Sequence, residues 1–177
     1  MKGVVLSEFV QFAETRYAVP PPAGVYNAVE TYDFQELSRL VDAAAGRAEG
    51  GRAEVLRSFG VHLFARFAAL YPIFFYDAES ALDLLGGINT YVHDEVQKLY
   101  PDAQFPHFDV ERESADRLAL VYHSARPLAD LADGLIRGCV AHFGRPVTVE
   151  REDLGTDRRH ARFVLIVAAR APRDARA

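Results

Sequence analysis

The sequence predicts an α+β chain: a helical N-terminal half followed by a four-stranded antiparallel sheet with one helix inserted between its two hairpins. Three observations predict it. Apolar residues recur at helical spacing as far as residue 99, period-two alternation takes over after Pro101, and a further helical stretch separates two strand pairs.

Residues 2–17 place Val5, Phe9 and Phe12 or Ala13 on one helical face, and Pro20-Pro21-Pro22 ends whatever precedes it. Asp33 reads as an N-cap with Glu36 three positions on, opening a helix over residues 34–46. Glu49-Gly50-Gly51 reads as a loop. Residues 52–71, rich in Phe, Leu and Ala, form the next helix, bounded by Tyr71-Pro72. Residues 79–99 form another, whose stripe of Leu82, Leu85, Ile88, Val92 and Val96 sets His93 beside an apolar face. Strands follow over residues 107–113 and 117–124, joined by a polar turn. A helix over residues 127–143 tolerates Pro127 in its first turn and stops at Gly144. The last strands are residues 147–152 and 161–168, with Gly155 in their turn. No internal repeat is visible. Residues 1–168 are expected to form a single domain, and residues 169–177 a flexible tail.

The chain has 177 residues, half of them hydrophobic and a quarter charged, which suits one compact domain with a sizeable core. A formal charge of −5 without a long Lys/Arg run argues against nucleic acid as the main partner. No secretory leader and no bilayer-spanning apolar stretch is evident, so a soluble cytoplasmic protein without a membrane association is expected. Cys139 is the only cysteine, which excludes an intrachain disulfide and a Cys-rich zinc site and suits a buried structural thiol.

The chemistry concentrates in two places. His93 stands 29 residues before a Tyr122-His123-Ser124-Ala125-Arg126 stretch, with Pro106 between them. Side chains at i, i+2 and i+4 of an extended segment share a side, so Tyr122, Ser124 and Arg126 can converge on one polar target. Two hydroxyls and a planar guanidinium suit paired carboxylates such as porphyrin propionates, each charged hydrogen bond contributing roughly 1.5–3 kcal/mol. A neutral imidazole at His93 can ligate the iron of the same group. Taken singly, each residue has a plainer reading: a packed histidine, a turn proline, a solvated strand face.

Taken together they resemble a known family, the haem–nitric oxide/oxygen binding (H-NOX) domains, also found as the sensory domain of soluble guanylate cyclase. That family carries a haem-ligating histidine, a proline thirteen residues later and a Tyr-x-Ser-x-Arg motif, which fall here on His93, Pro106, Tyr122, Ser124 and Arg126. The opening Met1-Lys2-Gly3-Val4-Val5 and Phe12-Ala13-Glu14-Thr15-Arg16-Tyr17 also resemble its first helix. The resemblance implies haem b (iron protoporphyrin IX) held between the helical part and the sheet, with His93 as metal ligand and Pro106 pressing on the porphyrin. Phe34 is a departure, since it falls where the family carries an acidic residue supporting the arginine, with Asp33 one position away.

Oxygen-binding members carry a distal tyrosine at the position that falls here on Leu131. The other distal positions fall on Val5, Phe9, Leu63, Phe64, Phe67 and Leu135, and none offers a hydrogen-bond donor. Because bound O₂ draws stability from such a donor, the resemblance implies NO sensing, weaker CO binding and little stable O₂ binding. It also implies that NO weakens the bond to His93, freeing residues 79–99 to move and the porphyrin to relax away from Pro106. A separate signalling protein is the expected partner, such as a histidine kinase, a diguanylate cyclase or a chemotaxis receptor component. A non-enzymatic sensor is favoured over two alternatives, a haem enzyme (NO dioxygenase or peroxidase-like), which needs polar distal groups, and a haem-free interaction domain of the same fold. His62, His107, His123, His142 and His160 read as surface or structural residues, and His123 points away from Tyr122 and Ser124 on a regular strand.

Overall fold

Helix α1 (Gly3–Tyr17) turns Leu6, Phe9, Phe12 and Ala13 inward; Phe9, Phe12 and Ala13 are as the spacing predicts, whereas Leu6 is buried and Val5 only half-buried. These residues pack on α2 (Phe34–Ala45) and α3 (Gly51–Leu70), where Phe9 and Phe59 meet edge to face at 4.8 Å. Asp33 caps α2 by accepting from the Gln35 amide at 2.7 Å. Glu36 does not complete a reciprocal capping box, because its carboxylate is engaged by Arg39 and by Tyr26. The computed structural model describes residues 1–168, and the tail expected at 169–177 lies outside the described residues.

After α3, a short 3-10 turn at Pro72–Phe75 leads to α4 (Ala81–Gly86), whose N-cap Ser80 accepts from the Asp83 amide. The single helix expected over residues 79–99 is three pieces: α4, a π-helical run at Ile88–His93, and α5 (Asp94–Leu99). The break falls at Gly86-Gly87. A Cβ on Gly87 would stand 2.1 Å from the Tyr91 ring, so only glycine lets that ring fold back over the chain. Such wider turns often mark functional positions, and this one ends on His93.

Strands β1 (His107–Ser114), β2 (Arg117–His123), β3 (Val147–Asp153) and β4 (His160–Val167) form one antiparallel sheet in the order β1-β2-β4-β3. Leu118, Leu120 and Tyr122 of β2 and Ala161, Phe163 and Leu165 of β4 face the core. Between the hairpins, α6 (Ala129–Phe143) ends at Gly144 in the left-handed region, φ 68°. It starts at Ala129, so Pro127 lies outside the helix expected from residue 127. The fold is thus α+β, as its two periodicities predict.

Helix α6 crosses α3 at backbone distance. A Cβ on Gly134 would lie 2.1 Å from the Arg57 carbonyl oxygen, and one on Gly60 would lie 2.5 Å from that of Leu131. Buried charge flanks the crossing: Asp133 accepts from Arg57 Nε at 2.9 Å and from Arg137 Nε at 2.7 Å. Two apolar clusters result, one of α1–α3 and one of the sheet with α4 and α6. No helix among the described residues is long and apolar enough to cross a membrane.

Candidate functional site

A cavity of about 600 Å³ lies where the two clusters meet, within the range of about 300–1,000 Å³ usual for sites that enclose small organic ligands. Helices α1, α3 and α6 line it with Val4, Val5, Leu63, Phe64, Phe67, Leu131 and Leu135. The segment from α4 to α5 adds Leu84, Leu85, Ile88, Val92, His93 and Val96. Phe105 and Pro106 border it from the loop before β1, and Tyr122, Ser124 and Arg126 from the end of β2 onward. Eleven of the twelve residues that the sequence singles out therefore border one space. Phe9 does not: it is fully buried among Phe12 and Phe59, one layer behind.

His93 owes its position to the π-helical run and to Phe105, on which its ring stacks at 4.9 Å with planes inclined by 18°. Burial, reinforced by His107 and opposed by Asp94, pulls its pKa to about 4. The ring is therefore neutral near pH 7, and among the described residues neither nitrogen has a hydrogen-bond partner. A lone pair on a half-buried imidazole facing an apolar cavity is available to a metal.

Sequence reasoning missed Asn89. Its Nδ2 donates to the Phe108 carbonyl at 2.7 Å and its Oδ1 accepts from the Phe108 amide at 3.3 Å, so the side chain pairs with β1 as a neighbouring strand would. This bond pair ties the segment that carries His93 to the sheet. The available signal was a polar residue on the apolar face, four positions after Leu85 and three before Val92.

Tyr122, Ser124 and Arg126 do border the same cavity, but not as one extended strand. Strand β2 ends at His123, and the chain then bends: the Arg126 amide donates to Ser124 Oγ at 3.1 Å and the Leu128 amide to the Arg126 carbonyl at 2.8 Å. The bend prevails because Pro127 and the start of α6 leave no room for further strand. Arg126 Nη2 donates to Gln104 Oε1 at 2.9 Å, and its guanidinium lies 5.8 Å from the centre of the Phe34 ring. The missing acidic residue is thus replaced by an aromatic face, while Asp33 is spent on capping α2. Burial raises the Tyr122 pKa to about 12, against the pull of Ser124 and Arg126, so its hydroxyl remains a donor.

Tyr71 and Tyr100 also line the cavity, and burial followed by the adjoining Tyr100 hydroxyl raises the pKa of Tyr71. Lys2 pairs with Asp102 at 2.5 Å, joining the start of α1 to the loop after α5. Lys2 and then Thr31 hold the Asp102 carboxyl down at about 2.

The donor set fits an iron porphyrin: an unpartnered neutral imidazole, apolar walls, and two hydroxyls with a guanidinium placed for acidic substituents. Solved structures share the architecture. An H-NOX protein from K. algicida in the unliganded Fe(II) state is 25% identical, with 96% of this chain and 98% of that one covered at a TM-score of 0.86. The H-NOX of Shewanella woodyi, bound to IWP-051 in the Fe(II)CO state, is 29% identical, with 99% of each chain covered and a TM-score of 0.78. The S. oneidensis H-NOX in the Fe(II)NO state, 24% identical, shows the same fold at a TM-score of 0.85 over 96% of this chain and all of that one. None of the curated proteins matches. The family described as Haem-NO-binding matches residues 3–151, and with that span added to the cavity's donors, the chain belongs to the H-NOX family of haem-binding gas-sensor domains.

Proposed function

We propose that residues 1–168 form a single sensor domain for nitric oxide, binding carbon monoxide more weakly and O₂ little, built around haem b. One observation carries this reading: a neutral, unpartnered His93 imidazole borders an apolar cavity that Tyr122, Ser124 and Arg126 also border. When bound, ferrous haem supplies the iron site at which the gas is held.

Each residue has a definite task. His93 would hold the iron through a ring nitrogen, its ring plane fixed by stacking on Phe105. Tyr122 and Ser124 would offer their hydroxyls and Arg126 its guanidinium, seated on Phe34, to the propionates. Pro106, at the cavity border, would bear on the macrocycle. Val5, Leu63, Phe64, Phe67, Leu131 and Leu135 exclude water and withhold the donor that O₂ needs, with Phe9 backing that wall.

The segment from Ile88 to Leu99 carries the output, because a change in the hold on His93 acts directly on its π-helical run. Anchored through Asn89 to β1, it has a fixed end from which to move. The readout belongs to a separate signalling protein, a histidine kinase or a diguanylate cyclase being the expected kinds, and the domain itself is a cytoplasmic sensor and not an enzyme. His93→Gly, reconstituted with haem, is the test. Loss of the five-coordinate ferrous spectrum with recovery on adding imidazole is expected; an unchanged spectrum would refute the ligand, and a wild-type protein without a Soret band after reconstitution would refute the haem reading.

A further inference from the structure

A second group of donors stands on the other face of the sheet. His107 on β1, His123 on β2 and His160 on β4 are direct register partners, so their side chains share a face. Asp109, two residues along β1 from His107, joins them. The intervening Phe108, Tyr122 and Ala161 are buried, which places the histidine row away from the core and away from the cavity. His123 is its centre: Nε2 lies 2.8 Å from Asp109 Oδ2, and Nδ1 lies 3.1 Å from His160 Nδ1.

Metal binding takes each imidazole in its neutral form, and in that form these contacts fix the protons. The Asp109 carboxylate accepts the Nε2–H of His123, which leaves His123 Nδ1 with a lone pair and makes His160 Nδ1 the donor. We propose that His123 and His160 chelate a divalent ion of the Zn²⁺ class through their two Nδ1 atoms, with Asp109 orienting His123. Two nitrogens bound to a tetrahedral ion at about 2.0–2.1 Å stand roughly 3.3 Å apart, and the pair already stands at 3.1 Å. To share an ion, each ring would turn its Nδ1 off the line joining the two nitrogens toward a common point, and the His160 proton would move to Nε2.

Asp109 has the part that carboxylates commonly play behind a metal-bound imidazole, fixing its tautomer and raising its basicity. Imidazole ligands suit Zn²⁺, Cu²⁺ and Ni²⁺ rather than Mg²⁺ or Ca²⁺. Water fills the remaining positions, since among the described residues no three His, Cys, Asp or Glu side chains are set to hold one ion. The site is open to it, the His123 side chain being 39% exposed. The ion would clamp β2 to β4 beside the Ser124 amide, which donates to the Arg159 carbonyl at 3.0 Å. Metal and haem sites thus share one strand end.

The test is calorimetric titration of Zn²⁺ into tag-free, haem-loaded protein, with far-UV circular dichroism to verify each variant's fold. One Zn²⁺ per chain is expected for the wild type, with binding weakened at least tenfold in His123→Ala and in His160→Ala. Asp109→Asn should weaken it about tenfold or more, while His107→Ala should leave it near wild type. A Zn²⁺-induced rise in melting temperature should accompany binding and vanish in His160→Ala. Absence of stoichiometric uptake by the wild type, or equal uptake by the folded His123→Ala/His160→Ala double variant, would overturn the proposal, as would a loss in His107→Ala as large as in His160→Ala.

Discussion

Asn89 binds both backbone groups of Phe108, donating to its carbonyl at 2.7 Å and accepting from its amide at 3.3 Å. A side chain thereby performs the pairing of a strand and holds the π-helical run against β1. Asn89→Ala leaves those two groups without their partner, at a cost of about 1–3 kcal/mol each. Haem should leave this variant roughly tenfold faster, measured by transfer to apomyoglobin. Unchanged transfer would show that the segment is held elsewhere.

Leu131 is buried on α6 and borders the cavity. Leu131→Tyr brings a hydroxyl to that wall, and a donor there stabilises bound O₂ by about 1–3 kcal/mol. Stopped-flow displacement should show O₂ leaving the variant roughly tenfold or more slowly than the wild type. Equal rates would refute the reading that the apolar wall at Leu131 sets the gas preference.

Gly134 is required by the contact between α3 and α6. Its substitution by alanine forces a Cβ to 2.1 Å from the Arg57 carbonyl, a backbone atom that no rotamer change can move. Gly134→Ala should therefore cost about 1–3 kcal/mol or more in urea denaturation. Gly24→Ala, at a position with open space around it, is the control and should be near neutral.

Cys139 is fully buried on α6, and burial pushes its thiol up to about 12. Between the ordinary thiol value near 9 and that figure, the folded chain keeps a proton that the unfolded chain gives up. Its contribution to stability is therefore complete below about pH 9 and is lost as pH rises toward 12. Tyr122, raised from 10 to about 12, acts in the same direction. Urea midpoints should fall more steeply from pH 8.5 to 10.5 in the wild type than in Cys139→Ala. A thiol reagent at pH 8 should leave the native protein unmodified until it unfolds.

Periodicity by itself determined the class and order of elements, because burying one face of a helix or strand leaves a local imprint: the Val5–Phe9–Phe12 row, the Asp33 cap, the Gly144 stop. The spacing of His93, Pro106 and the Tyr122–Arg126 stretch likewise marked residues that border one cavity. Only tertiary structure decided the break at Gly86-Gly87, the bend that brings Arg126 round, its seat on Phe34, and the place of Phe9 behind the wall. Most of those outcomes depend on atoms far apart in sequence competing for one space: Asn89 reaching Phe108, Arg126 settling on Phe34, and α6 pressing on α3. Local pattern records which side chains must leave water, whereas their final neighbours follow from how the elements close on each other.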